Sequence, residues 1–168
     1  YFSSGAFSAK YGNAISGVLA MQSLGRPAKQ TLELGAGLAA ISLGFNSPVN
    51  EKLGLRFAGN YSDCTQLFKL NQAADEFKQY PLSYDLNLNL TYKLSQNTNL
   101  KYFLYGVQDE IKSEFDSPTY QGFFDSQNNN IVHNLQLKTT LSQKTSLNTS
   151  LSMNNFNKDF SLSRLRID

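Results

Sequence analysis

Residues 83–94 have the sequence Ser83-Tyr84-Asp85-Leu86-Asn87-Leu88-Asn89-Leu90-Thr91-Tyr92-Lys93-Leu94. Polar and apolar side chains alternate without a break along this stretch. Successive side chains of a β-strand point to opposite faces, so the alternation predicts a strand with one apolar and one polar face. No helical spacing fits the same residues. The stretch therefore predicts a β-sheet protein.

The same two-residue period recurs through most of the chain from Thr31 onward. Further alternating stretches lie at residues 53–61, 100–104, 134–141 and 147–154. A last stretch opens with Phe160 and Leu162, and its phase slips before Leu165 and Ile167, which predicts a β-bulge. The repetition predicts an all-β fold of antiparallel strands.

The first alternating stretch, residues 32–45, changes phase in its middle. Its apolar positions are even before Gly37 and odd after Ala40. This change predicts a very tight turn between two short strands, with a single bulged strand as the alternative.

The predicted connections alternate in length. Compact polar turns are predicted at residues 46–50, 95–99 and 142–146, and long connections at roughly 62–82 and 108–130. Short turns on one side of a sheet and long loops on the other are typical of an outer-membrane barrel.

Two architectures fit a sheet of this kind, a membrane barrel and a soluble β-sandwich. The polar positions are mostly Asn, Ser, Thr and Gln, and charged residues make up only 17% of the chain, against about 25% in soluble domains. The apolar positions are mostly Leu, and Tyr84 and Tyr92 flank the leucines of one strand, as aromatic rings do at two membrane interfaces. These features favour the membrane barrel over the sandwich.

Composition argues against several classes of function. The net charge is +2, and the 15 Lys and Arg residues are spread along the chain rather than clustered, which does not indicate nucleic-acid binding. Cys64 is the one cysteine, so we expect a free thiol. The one histidine, His133, has the parity of Leu135 and Leu137 and no nucleophile near it, so we expect an interface-level residue and not a general base. We expect no enzyme activity and no cofactor.

The predicted connection at 108–130 combines acidic and aromatic residues. Its carboxylates are Asp109, Glu110, Glu114, Asp116 and Asp125, and its aromatic residues include Phe115, Tyr120, Phe123 and Phe124. Such carboxylates bind hard cations such as Ca²⁺ in some proteins, but their spacing is not that of a calcium loop, and a solvated acidic loop is the favoured interpretation. The aromatic residues would either pack over a barrel mouth or contact a ligand.

Residues 1–23 do not follow the alternation. They contain the sequence Phe7-Ser-Ala-Lys-Tyr11-Gly12-Asn-Ala-Ile-Ser-Gly17-Val18-Leu19. This motif resembles the C-terminal end of the plug domain of TonB-dependent outer-membrane receptors, and its wording is similar to receptors from the Bacteroidetes. The run from Gly17 to Met21 would be a short strand.

The resemblance implies the domain organisation and the partners. Residues 1–27 would be the end of a plug domain, and residues 28–168 the first strands of a plugged transmembrane β-barrel of about 22 strands. The chain starts at Tyr1 without an initiator Met, so we expect a piece of a longer polypeptide. The receptor would lie in the Gram-negative outer membrane, contact its lipid, bind a small external solute of unknown identity, and meet the TonB complex through the part before Tyr1.

The resemblance also assigns a role to the polar face. The residues of this face would point into the barrel lumen and hydrogen-bond to the plug. They are Arg56, Asn60, Asp85, Asn87, Asn89, Lys93, Gln136 and Lys138. The expected function is TonB-driven import of a scarce solute. The alternative is a binding or structural β-protein without transport, either in the outer membrane or soluble, and a hydrolase is a distant third.

Overall fold

The computed structural model describes residues 2–3, 18–19, 24–71, 77–117 and 120–164, with side chains for 24–71, 77–114 and 121–163. Almost every described element is a strand. In chain order the elements are β1 Phe2–Ser3, β2 Val18–Leu19, β3 Thr31–Ala36, β4 Ala40–Ser47, β5 Leu53–Asp63, α1 Thr65–Leu70, β6 Phe77–Lys93, β7 Thr98–Ser117, β8 Tyr120–Ser142 and β9 Thr145–Arg164.

Strands β3 to β9 form one antiparallel sheet in which each strand pairs with the next along the chain. The short strands β1 and β2 pair with each other in a separate two-stranded sheet. The predicted all-β antiparallel fold is therefore confirmed. In the described residues the large sheet is open, and β3 and β9 are its two edges.

The register gives the large sheet two chemically different faces. One row across five strands contains Leu55, Leu90, Tyr102, Leu135 and Leu151, each directly opposite the next. The row beside it, one residue along each strand and therefore on the other face, is Arg56, Asn89, Phe103, Asn134 and Ser152. We call these two faces the apolar face and the polar face.

No second layer covers the apolar face within the described part of the chain. None of its hydrophobic side chains is buried there, and Leu34 and Leu151 are 77% and 73% exposed. A soluble sheet normally buries its apolar face against a core. The described residues therefore contain a sheet without a core of its own.

The predicted tight turns are present. The N–H of Gly37 donates to the carbonyl of Ala40 at 2.8 Å, which closes the turn between β3 and β4. The alternative of one bulged strand is wrong, because β3 and β4 pair side by side from Thr31↔Asn46 to Ala36↔Ile41. Two residues separate β8 from β9.

The predicted long loops are largely wrong. Strands β7 and β8 remain paired as far as Ser117↔Tyr120, so most of the region 108–130 is a strand hairpin. The region 62–82 contains helix α1 and the first residues of β6, with register shifts between Phe77 and Leu82. In these strands polar residues occur on both faces, so the sequence shows no period-two alternation. The strands form nevertheless, because the backbone hydrogen bonds of a sheet do not depend on side-chain polarity.

Strand β9 is unbroken along its described length, and the bulge predicted before Leu165 stays a prediction. Its pairing with β8 has no register shift from Thr140↔Ser146 to Gly122↔Arg164. Its apolar positions nevertheless change from Leu147, Leu151 and Met153 on the apolar face to Phe156, Phe160 and Leu162 on the polar face. The apolar side therefore changes face along an unbroken strand. Residues 165–168, where the slip was predicted, lie outside the described residues.

Candidate functional site

The polar face brings together all the residues predicted to face a lumen. On β5 and β6, Arg56 is opposite Asn89 and Asn60 is opposite Asp85. The rest share the same face by register, namely Asn87, Lys93, Gln136 and Lys138. Whether this face points into a lumen remains a prediction.

Two side-chain hydrogen bonds tie the centre of the polar face together. Asn60 donates to Oδ1 of Asp85 at 2.8 Å, across strands β5 and β6. Asn89 donates to Oδ1 of Asn87 at 2.5 Å along β6. Amides that bond one another in this way satisfy part of their own hydrogen-bonding capacity and keep further donors and acceptors for a partner.

Arg56 contacts the chain that precedes the sheet. Its Nε donates to the carbonyl of Gly25 at 3.0 Å, and its Nη1 donates to Oδ1 of Asn46 at 2.9 Å. Asn46 in turn donates to Oγ1 of Thr31 at 2.8 Å. One guanidinium thus connects β5, β4 and residues 24–30, which we call the linker.

A second arginine makes the reverse connection, from the linker to the sheet. Nε and Nη2 of Arg26 donate to the carbonyl of Asn50 at 3.0 and 2.6 Å. Asn50 lies in the turn before β5, and its side-chain oxygen accepts the N–H groups of Lys52 and Leu53 at 2.9 and 2.8 Å. Arg26 therefore binds a turn that is already ordered.

Pro27 packs directly against the polar face. Pro27 and Gly54 are both buried, and Thr91, which pairs with Gly54, is only 8% exposed. The sequence analysis did not find Arg26, Pro27, Asn46 or Gly54. The one signal in the sequence was an Arg-Pro pair shortly before β3, and such a pair does not by itself indicate a structural role.

An aromatic patch occupies the other end of the polar face, on β8 and β9. The rings of Phe124 and Phe160 meet edge to face at 5.2 Å, and Nζ of Lys158 lies 6.0 Å from the centre of the Phe160 ring. Phe156 and Leu162 on the same face are more than half exposed. Phe124 was predicted in a loop, but it lies on a strand.

On the apolar face, polar side chains replace apolar ones at the same end of the sheet. Glu110 accepts hydrogen bonds from Gln79, Gln108 and Gln127 at 2.9, 3.0 and 2.8 Å. Lys112 pairs with Asp125 at 3.1 Å. This end of the sheet is therefore polar on the side where the rest of the sheet is apolar.

The acidic residues considered for Ca²⁺ do not converge. Asp109 lies on the polar face and accepts a hydrogen bond from Asn128, whereas Glu110 and Asp125 lie on the apolar face. Glu114 pairs with Lys78 at 2.8 Å. Among the described side chains no group of three or more metal-binding residues comes together.

His133 lies on the apolar face, with the parity that the sequence predicted. Its Nδ1 lies 2.8 Å from the hydroxyl of Tyr102, and Ile131 and Leu135 flank it on the same strand. Cys64 is a free cysteine that precedes α1.

Most of the predicted plug motif is not described. Phe7, Tyr11, Gly12 and Gly17 lie outside the described residues. Val18 belongs to β2 and pairs with Ser3, so a short strand is present where one was predicted. The plug assignment remains a prediction.

Comparison with known proteins does not identify the chain. No protein-family model matches the sequence, and neither curated proteins nor solved structures gave a match. In the described ranges no helix has the length and apolar character needed to cross a membrane.

Proposed function

We propose that this chain forms the first strands of a plugged outer-membrane β-barrel that imports a scarce external solute with energy from the TonB system. The observation that carries the proposal is the position of the linker, which lies on the polar face through the bond from Arg56 to Gly25 and the packing of Pro27 on Gly54. The chain therefore meets the sheet on its polar side at Gly25 and Pro27, which is the side that a plug inside a barrel would occupy.

The apolar face supports contact with lipid. Its side chains are largely exposed, and in water an apolar surface of this extent would favour aggregation. The apolar stretch of β6 is bounded by Tyr84 and Tyr92, a span of roughly 23 Å after correction for strand tilt. Outer-membrane barrels have an apolar band about 25 Å tall with aromatic residues at both borders.

The apolar band also crosses the strands at an angle. Its middle lies at Leu34 on β3, a position level with Leu86 on β6, whereas its middle on β9 is level with Thr91. The middle of the band thus shifts by roughly five residues along the strands across the width of the sheet from β3 to β9. This shift corresponds to a strand tilt of roughly 30°. Barrel strands are tilted by about 35–45° in the membrane.

The polar face would then face the plug. Asn60, Asp85, Asn87 and Asn89 retain hydrogen-bonding capacity at the centre of the sheet. They would hold the plug by hydrogen bonds and would not take part in a chemical step. The identity of the solute depends on parts of the receptor beyond these strands.

Cysteine labelling from outside the cell distinguishes a plugged barrel from an open pore. We would use the full-length protein with Cys64 as the only cysteine, and a second form with Cys64→Ser and Asn89→Cys. A membrane-impermeant maleimide should label Cys64 in intact cells. It should label position 89 only after denaturation, because the plug would fill the lumen that this position faces.

Either of two other results would count against the proposal. Labelling at position 89 in intact cells, at the rate seen for Cys64, would indicate an open pore. Recovery of the protein in the soluble fraction would indicate a soluble β-sheet protein, and transport would be excluded.

A further inference from the structure

We infer that the linker is a fixed anchor, locked by a slot at Gly54, so that any displacement of the preceding segment bends the chain before Gly25 and leaves the sheet undisturbed. The inference rests on the proposed function only where it treats that preceding segment as a plug. The anchor itself follows from contacts between described residues.

The slot is made by the missing side chain of Gly54. A Cβ atom at this position would lie 2.6 Å from Cδ of Pro27 and 2.8 Å from Cγ of Arg26. Both distances are shorter than real Cβ contacts. Glycine inside a strand weakens it, and it is often found where another backbone approaches closely. Here the linker is that backbone.

The other strand glycines differ from Gly54 in what a Cβ would meet. At Gly35 it would overlap Oγ of Ser42, a hydroxyl that can rotate away, and at Gly44 it would lie 3.3 Å from Cβ of Glu33. A Cβ at Gly59, on the same strand as Gly54, would make its nearest contact at 3.6 Å, which is ordinary packing. A Cβ at Gly106 would meet nothing within 4 Å. Among these glycines, Gly54 is the position where a Cβ would meet the linker, and Gly59 on the same strand has room for one.

Two arginines fasten the linker on either side of the slot. Arg56 reaches from β5 to the carbonyl of Gly25, and Arg26 reaches from the linker to the carbonyl of Asn50. Hydrogen bonds from a charged donor are stronger than those between neutral groups. The fastening is reciprocal, because each side supplies one guanidinium and accepts with one backbone carbonyl.

These contacts determine where a pull on the preceding segment is resisted. The first residue of β3, Thr31, pairs with Asn46 on β4 and would peel from it if it took the load alone. With the linker fixed at Gly25 and Pro27, the load passes first to β5 and to the turn before it. The sheet can then remain intact while the preceding segment moves.

Tryptic cleavage after Lys29 tests the anchor in the full-length protein in detergent. The bond between Lys29 and Gln30 lies within the linker, and a protease needs a locally detached chain to cut it. The variants are Gly54→Ala, which fills the slot, and Arg56→Met, which removes the donors and adds no atom near Pro27. Gly59→Ala is the matched control on the same strand.

We expect the parent protein and Gly59→Ala to resist cleavage at this bond. Gly54→Ala and Arg56→Met should release a product that begins at Gln30 about tenfold faster or more, because cleavage follows the population of the open form. Two results would overturn the anchor. One is cleavage of the parent protein as fast as that of Gly54→Ala, and the other is equal resistance of the parent and both variants. Cleavage of Gly54→Ala at Lys101, in the middle of the sheet, would show that this variant has unfolded. The cleavage rate of Arg56→Met at Lys29 would then test the anchor.

The anchor and the proposed function can fail separately. A resistant linker in a protein whose apolar face makes no contact with lipid would leave the anchor standing and remove the membrane barrel. A linker cut rapidly in a barrel that does contact lipid would do the opposite.

Discussion

Tyr61 and Tyr84 lie directly opposite each other on β5 and β6, with ring centroids 6.1 Å apart and ring planes inclined by 16°. They mark the end of the apolar band on these two strands. Beyond them the chain leaves β5 for helix α1, and on β7 and β8 the apolar face becomes polar at Gln108 and Asn129. The stacked pair therefore marks the border between the apolar and the polar part of this face of the sheet.

We expect the tyrosine pair to stabilise the folded protein through its rings. Tyr84→Ala should lower the free energy of unfolding by about 1–2 kcal/mol, because it removes the stacked ring and its apolar area. Tyr84→Phe keeps the ring and should cost less than about 0.5 kcal/mol. Urea unfolding of the full-length protein in lipid vesicles measures both. Equal losses for the two variants would show that the hydroxyl, and not the ring, matters.

A charge should be tolerated on one face of β9 and not on the other. Leu151→Lys places an ammonium group on the apolar face within the band and should cost about 2–4 kcal/mol in vesicles. Ser150→Lys, one residue earlier on the polar face, should change stability by no more than about 0.5 kcal/mol. The free energy of unfolding in vesicles is again the readout. A similar cost for both would mean that the two faces do not differ in their contact with lipid.

The alternating pattern predicted the two faces correctly where one face is uniformly apolar. Residues 83–94 are the clearest case, because a shift of one residue would exchange every leucine with an asparagine and leave no acceptable register. The turn at Gly37 was predicted for the same reason, since a change of parity requires either a turn or a bulge.

The pattern did not show that one strand continues where its apolar residues change face. In β9 the apolar residues change parity between Met153 and Phe156, and the sequence was divided there into two alternating stretches, although β9 is one strand. The backbone pairing continues unchanged. Sequence parity reports which side of the strand is apolar, and only the register shows whether the strand itself has been interrupted.

The linker contacts could not be predicted from the sequence. Arg56 and Gly25 are 31 residues apart, and the acceptor is a backbone carbonyl, which every residue possesses. The slot at Gly54 could not be predicted either, because glycine occurs within strands for several different reasons. Residues on the polar face were found by parity, but their partners required the three-dimensional arrangement.

Glu110 should hold the projecting ends of β6, β7 and β8 together. Glu110→Ala leaves the amides of Gln79, Gln108 and Gln127 without their shared acceptor, so amide hydrogen exchange in residues 107–113 should accelerate by about tenfold. Glu110→Gln retains one acceptor oxygen and should show a smaller change. Hydrogen exchange with mass spectrometry measures both variants. Unchanged exchange in Glu110→Ala would mean that the backbone ladder alone orders this region.

The most direct test of the account compares two neighbouring positions on β8. Leu135 lies on the apolar face and Gln136 on the polar face, at nearly the same height in the sheet. Each would be replaced singly by Trp in the full-length protein, in a background without other tryptophans, and reconstituted in vesicles with brominated lipid chains. We predict strong quenching of the indole fluorescence at position 135 and little at position 136. Equal quenching at both positions, or none at position 135, would contradict the assignment of the apolar face to lipid.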